Sequence, residues 1–156
     1  MITLNGTWQM NCKGEDSWQE GQVPGTVYTD LLRNGQMKDP YVGENEDEVR
    51  DLSYNDYTYR RTFEVEEKTL QNTKNVLVCE GLDTLADVYL NGTHMGNCEN
   101  MHRTYRFDVT ELLKAGTNEI VVELHSPLKY MEEQYEKRPL WGVSVSYTHL
   151  RAHETL

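Results

Sequence analysis

The stretch ADVYLNGTHMG, residues 86–96, is the feature that most constrains how this chain can fold. Apolar residues at Ala86, Val88 and Leu90 alternate with polar ones, and successive side chains of a β-strand point to opposite faces of a sheet. Asn91-Gly92 follows directly, and this pair supplies the two positive-φ positions of a tight hairpin. The sequence therefore predicts a strand buried on its apolar face between two sheets, followed by a two-residue turn and a second short strand.

Further short strands are predicted on both sides of this hairpin. Alternation recurs in TYRRTFEV (58–65) and YRFDV (105–109), and β-branched, apolar runs occur in NVLVCEGL and NEIVVEL. Two short helices are expected, one over 26–34 before Gly35 and one over 110–116 with Thr110 as N-cap. Residues 127–141 fit either a short helix or an ordered loop. Many close strands with few helices indicate an all-β, antiparallel β-sandwich with short capping helices.

The charge of the chain excludes some classes of partner. Its 156 residues fit one domain, and 15 basic against 26 acidic residues give a net charge of −11. Such a surface repels nucleic acid and anionic lipid, so neither is expected as a partner. Neutral, hydroxyl-rich ligands are permitted.

The three cysteines and the N-terminus favour a reducing compartment. The number of cysteines is odd (Cys12, Cys79 and Cys98), and the sequence contains no C-x-x-C pair. Both observations argue against a disulfide framework or a zinc knuckle. The first residues show neither the basic nor the apolar region of a signal peptide, and no apolar run reaches membrane-spanning length. We therefore expect a cytoplasmic protein.

Residues that could carry chemistry are few. No G-x-S-x-G, P-loop or H-E-x-x-H motif is present. The acidic run GENEDEVRD, residues 43–51, is interpreted as a solvated loop, because glycoside hydrolysis needs two carboxyl groups held at a fixed separation. Asn100, His102 and Arg103 precede a strand at the expected rim of the sandwich. They could bind sugar hydroxyls, or they could form a structural turn in which His102 caps a backbone carbonyl.

Several segments carry a family resemblance. Three segments resemble, in this order, the amino-terminal domain of the glycoside hydrolases that include β-galactosidase, β-glucuronidase and β-mannosidase. They are LNGTWQM, the stretch from Val23 to Val65 and the stretch from Glu80 to Pro127. The β-mannosidase branch fits best, and the resemblance runs from Met1 to about Val143. It implies a jelly-roll sandwich similar to galactose-binding modules. This domain would pack beside a catalytic (β/α)₈ barrel and contribute residues to the rim of its active site.

The resemblance also implies a function. The parent protein would be a retaining glycoside hydrolase acting on β-linked mannose, with its catalytic glutamates in a barrel that this chain lacks. None of the glutamates here matches them, so we expect a truncated fragment that is inactive alone, with no catalytic residue, cofactor or metal. The residues expected at the edge of the sugar pocket are Asn100, His102, Arg103, Asn45, Asn55 and Asp56. A free-standing carbohydrate-binding module and a purely structural sandwich domain are the alternatives.

The end of the chain raises a separate question. His149 and His153 are four residues apart, a spacing at which two imidazoles on a helix can share a metal ion. However, residues 145–155 resemble one reading frame of a sequencing adapter. We therefore predict a domain over residues 1–143 followed by a non-native tail over 144–156, without a zinc site.

Overall fold

The computed structural model describes residues 1–139, apart from the side chain of Glu48. Its strands are β1 (Gly6–Cys12), β2 (Gln19–Val23), β3 (Tyr57–Val65), β4 (Val76–Glu80), β5 (Leu85–Leu90), β6 (Thr93–Cys98), β7 (Thr104–Asp108) and β8 (Gly116–His125). Its helices are α1 (Val27–Arg33), α2 (Asn45–Arg50), α3 (Glu67–Leu70) and α4 (Pro127–Lys137), with a single 3₁₀ turn at Asp51–Tyr54. The predictions for the tail, including His149 and His153, lie outside the described residues.

The strands form two antiparallel layers, as predicted. Six strands make one sheet in the order β2-β1-β3-β8-β5-β6, and β4 pairs with β7 in the other. The inner face of the large sheet supplies most of the buried core, and Leu77 and Phe107 of the small sheet pack against it. Leu31 of α1 and Val49 of α2 add to the same core. The fold is thus an all-β sandwich with short helices.

The predicted hairpin is confirmed. Asn91 and Gly92 have φ angles of 50° and 80°, and Leu90 pairs with Thr93 across the turn. Ala86, Val88 and Leu90 are at most 2% exposed. Beyond its backbone role, the Asn91 side-chain amide donates to the Leu112 carbonyl, and its oxygen accepts the Glu119 N–H. The turn residue therefore also ties the hairpin to the segment that leads into β8.

The two predicted helices had different outcomes. Helix α1 is present, and Thr26 caps it through a reciprocal pair of hydrogen bonds with Thr29. The helix predicted over 110–116 is wrong, because the chain makes one turn there, with the Leu112 and Leu113 N–H groups donating to the Val109 carbonyl. The buried Asn118 side chain bonds both the N–H and the carbonyl of Lys114. It therefore satisfies backbone groups that a second helical turn would have paired.

Residues 127–137 adopt the helical alternative. Ser126 caps α4 by accepting the Lys129 N–H at 3.3 Å, and Pro127 occupies the first turn, where its missing N–H costs nothing. The helix lies against the 3₁₀ turn, where the Tyr54 hydroxyl donates to Glu132 at 2.8 Å. This contact places α4 at the end of the sandwich where β8 stops.

A buried carboxylate joins α1 to the sheet. Asp30 is fully buried and accepts from the Gln22 N–H at 3.2 Å, the Tyr59 hydroxyl at 2.8 Å and the Arg33 guanidinium at 2.9 Å. Burial, together with the neighbouring Asp30 carboxylate, holds the pKa of Tyr59 well above its usual range. Tyr59 therefore stays a neutral donor to Asp30. Gly21 makes room for the pair, because a Cβ there would lie 2.7 Å from the Tyr59 ring.

Candidate functional site

A cavity of about 320 Å³ opens at the end of the sandwich where β8 runs into α4. Because neighbouring strands are antiparallel, the start of β5 and the ends of β6 and β8 meet at this edge. Polar side chains from these strands, from α4 and from the loop before β3 converge on it, and Tyr130 adds an aromatic ring. The main polar lining residues are Asp56, Asp87, Asn97, Glu99, His125, Lys129 and Glu133.

Asp87 is held between two histidines. The Nε2 atoms of His94 and His125 each lie 2.7 Å from a different oxygen of its carboxylate. Partial burial would raise the pKa of Asp87, but the hydrogen bonds from His125 and His94 outweigh it, and the pKa lies below its usual range. Asp87 is therefore ionised at neutral pH. Since an ionised carboxylate can only accept hydrogen bonds, both Nε2 atoms must be the donors.

The polar chain continues from His125 to α4. His125 Nδ1 lies 3.9 Å from Asp56 Oδ2, and Asp56 Oδ1 lies 3.7 Å from Lys129 Nζ. The Ser126 N–H fixes Asp56 by donating to Oδ1 at 3.0 Å, while the Ser126 hydroxyl donates to the Ser53 carbonyl. We call the series Lys129, Asp56, His125, Asp87 and His94 the histidine–carboxylate chain.

This arrangement suits a neutral, hydroxyl-rich ligand. Carboxylate and imidazole acceptors stand beside an ammonium donor, and each can form directional hydrogen bonds with hydroxyl groups. Tyr130, about half exposed at 49%, offers a ring surface beside them. Within residues 1–139, no group of three or more His, Cys, Asp or Glu side chains is placed to hold a metal ion.

Of the six residues predicted to bind substrate, Asp56 lines this cavity. Asn100, His102 and Arg103 lie on the exposed loop between β6 and β7, directly after the lining residue Glu99. The loop is a hydrogen-bonded turn in which the Asn100 side-chain oxygen accepts the His102 N–H at 2.9 Å. The capping group of this turn is thus Asn100, rather than the His102 side chain as one alternative proposed.

The remaining two predicted residues have structural contacts. The Asn45 side chain, in α2, donates to the Asp39 carbonyl at 2.9 Å. Asn55 is exposed and ends the 3₁₀ turn, where its N–H donates to the Leu52 carbonyl. Neither lines the cavity described above. Their roles in substrate binding remain predictions.

Sequence reasoning missed His125, Asp87 and Lys129. The alternation places Asp87 on the face of the predicted strand opposite Ala86, Val88 and Leu90, and it gives this residue no binding role. The pair His125–Ser126 before Pro127 marked the point where a strand ends and a helix begins. Polar residues at such a boundary lie at a sheet edge, where pockets form, and this was the signal available in the sequence.

The two antiparallel layers place this domain in the class of all-β sandwiches. The family model described as "Glycosyl hydrolase 2 galactose-binding domain-like" matches residues 8–155. The chain belongs to this family.

Named relatives point to one branch of the family. The β-mannosidase of Capra hircus is 35% identical over 143 residues, which is 91% of this chain and 16% of the relative. The probable β-mannosidase of Caenorhabditis elegans is 30% identical over 147 residues, covering 93% of this chain and 16% of the relative. The chain therefore spans about 16% of the length of these two curated relatives.

Solved structures agree in fold. The crystal structure of the β-D-mannosidase from Dictyoglomus thermophilum aligns with a TM-score of 0.86 and 39% identity, over 89% of this chain and 17% of that one. The exo-chitosanase CsxA from Amycolatopsis orientalis aligns with a TM-score of 0.67 over 77% of this chain and 16% of that one. At 20% identity, this second likeness concerns the fold alone. Across the described part of the chain, no helix is long and apolar enough to cross a membrane.

Proposed function

We propose that this chain is the amino-terminal domain of a longer, β-mannosidase-type retaining glycoside hydrolase. In this role it helps to line the sugar pocket and supports a catalytic barrel that lies outside this sequence. The β-mannosidase relatives, of which the chain covers about 16%, support the assignment. The observation that carries the pocket role is the convergence of Asp56, His125 and Lys129 on the cavity at one end of the sandwich.

Catalysis is assigned to the remainder of the protein. Retaining hydrolysis needs two carboxyl groups about 5 Å apart, one protonated and one ionised. In the cavity, Asp87 is ionised and bonded to two histidines, and Asp56 is engaged by the Ser126 N–H and lies near Lys129. These two carboxylates are held by hydrogen bonds, and the other two that line the cavity, Glu99 and Glu133, are exposed to solvent. We therefore expect no glycoside hydrolysis by this chain alone.

Helix α4 supports the proposal of a neighbouring domain. It buries none of its own residues, and Met131 and Tyr135 are 56% and 61% exposed. Together with Tyr130 they form an apolar strip beside the cavity. An exposed apolar surface at the edge of a binding site is typical of a contact with another domain. We assign the strip to packing against the catalytic barrel.

We also propose a cytoplasmic location. Cys12, Cys79 and Cys98 are free thiols in the structure, and unpaired cysteines are typical of proteins kept in reducing compartments. Fractionation of the native source cells with an antibody against this domain measures the location directly. Recovery in a secreted fraction would contradict this part of the proposal.

The test of function uses the gene downstream of Val143 and the protein it encodes. We expect that sequence to continue into a barrel domain with two catalytic glutamates. The complete protein should release nitrophenol from nitrophenyl β-mannoside faster than from the matched β-galactoside and β-glucuronide, and the 156-residue chain should release none. A stop codon directly after the domain would favour a free-standing module. Turnover by the purified chain that disappears on replacing one of its own glutamates would contradict the assignment of catalysis.

A further inference from the structure

We propose that His125 binds a ligand hydroxyl through Nδ1, and that Asp87 and His94 are positioning residues that hold its imidazole in the tautomer this requires. The ligand class is a neutral polyol or sugar with two adjacent hydroxyl groups. The inference rests on the proposed function for its choice of sugar, but its experiment is performed on this chain alone. A failure of one is therefore distinguishable from a failure of the other.

The first step concerns which ring nitrogen carries the proton. His125 Nε2 lies 2.7 Å from Asp87 Oδ2, and the ionised carboxylate can only accept. A neutral His125 must therefore carry its proton on Nε2 and leave Nδ1 as an acceptor. A carboxylate that fixes the tautomer of a histidine in this way determines what the other nitrogen can bind.

His94 makes this arrangement more specific. It donates to the second oxygen of Asp87 at 2.7 Å, so the carboxylate is held from both sides and cannot rotate without losing a bond. The His94 ring also lies 5.1 Å from the Tyr89 ring, measured between centroids, which restricts it further. Thus His94, which lies outside the cavity, helps to fix the orientation of Asp87, which lines it.

The second step concerns what faces Nδ1. Asp56 Oδ2 lies 3.9 Å from Nδ1, which is too long for a hydrogen bond, and both atoms are acceptors. Two acceptors at this separation are not complementary to each other, but each can receive a proton from a hydroxyl group. Two adjacent hydroxyls of one ligand would satisfy Nδ1 and Asp56 Oδ2 together.

Lys129 supplies the complementary donor. Its ammonium lies 3.7 Å from Asp56 Oδ1, and about half of its side chain is exposed. The same hydroxyl that donates to Asp56 can accept from Lys129 after a small movement of that flexible side chain. The set of two acceptors and one donor fits a diol, which offers donors and acceptors on neighbouring atoms.

The first experiment measures the tautomer of His125 in the full 156-residue chain. Two-dimensional ¹⁵N NMR of the imidazole rings at about pH 8, above the range in which histidine changes charge, distinguishes a protonated from an unprotonated ring nitrogen. We expect Nδ1 of His125 to be unprotonated in the unmodified chain. In Asp87→Asn, an amide donor can face Nε2, and we expect the proton to move to Nδ1.

The controls separate positioning from folding. Asp16→Asn, an exposed change in the turn between β1 and β2, should leave the His125 spectrum unchanged. His94→Gln should weaken the preference of His125 for the tautomer protonated on Nε2 without abolishing it, because the hydrogen bond between His125 and Asp87 is kept. The measurement on the unmodified chain needs no variant to fold. A proton found on Nδ1 there would overturn the proposal.

The second experiment titrates methyl β-D-mannopyranoside while the His125 ring resonances are recorded. We expect a saturable shift of Nδ1 with a dissociation constant in the millimolar range, and about three- to tenfold weaker binding for Asp87→Asn, as for the loss of one hydrogen bond. His125→Ala, followed through its backbone amide resonances instead, should weaken binding by a similar factor, whereas Asp16→Asn should not. Saturable sugar binding that leaves the His125 ring unaffected would overturn the ligand assignment. The proposed β-mannosidase role is tested separately, by the activity of the complete protein.

Discussion

Replacing Asp30 by alanine should lower the free energy of unfolding by about 2–6 kcal/mol. The carboxylate is fully buried and accepts from the Gln22 N–H and the Tyr59 hydroxyl. Removing it leaves the buried Tyr59 hydroxyl and the half-buried Gln22 N–H without their acceptor, and each such donor costs about 1–3 kcal/mol. The third partner, Arg33, is about half exposed and can return to water, so its charge adds little to the cost.

Urea denaturation followed by tryptophan fluorescence measures this change, because Trp8 lies in the same core. Tyr59→Phe removes one donor and should cost less than Asp30→Ala. The double variant should cost less than the sum of the two, because Tyr59 and Asp30 share a hydrogen bond. Asp16→Ala, an exposed change of the same type, should cost less than about 0.5 kcal/mol. A loss below about 1 kcal/mol for Asp30→Ala, with an unchanged denaturant slope, would refute the reasoning.

Three further predictions concern the hairpin, the core and the cavity. Asn91→Gly keeps the positive φ but loses three side-chain hydrogen bonds, and it should lower the unfolding free energy by about 1–3 kcal/mol; an unchanged urea midpoint would contradict this role. Leu90→Ala, at a buried site, should cost about 2–5 kcal/mol in the same assay, while Val78→Ala, at a 41% exposed site, should cost far less; equal losses would be inconsistent with the described core. Because the folded pKa of Asp87 is lowered, its stabilising contribution is present above the unfolded value of about 3.9 and is lost as pH falls through the folded pKa. The unmodified chain should thus be more stable than Asp87→Asn at neutral pH, and this difference in unfolding free energy should shrink below about pH 4. A difference that instead grows below that pH would contradict the prediction.

The fold was largely predictable because its strongest signals are local. Alternation from Ala86 to Leu90 and the Asn91-Gly92 turn act within a few residues, and the structure confirms both. The error at residues 110–116 has a different origin. Thr110 and Gly116 have the local character of helix ends, but Asn118, in the following strand, supplies the backbone's hydrogen bonds instead. The helix propensity of these residues was overridden by hydrogen bonds from a side chain of the following strand.

The site was less predictable. Asp56 was a candidate from the sequence, and it lies in the end cavity. Its partners come from elsewhere: His125 is 69 positions further along the chain, and Asp87 belongs to a third element. The sequence spacing of Asp56, Asp87 and His125 does not predict that they meet. They come together because of the order of the strands, which is a property of the whole sheet.

By itself, the sequence determined that strands alternate, where they turn, that the Ala86, Val88 and Leu90 face is buried and that the chain is acidic. These properties depend on the side-chain period of a strand, the φ angles available to Asn and Gly, and a simple sum of charges. The tertiary structure alone decided that Asp30 is a buried acceptor and that His94, Asp87 and His125 form one chain of hydrogen bonds. The reason is physical: a polar side chain's partners are set by which elements pack against it, and packing joins residues that are distant in sequence.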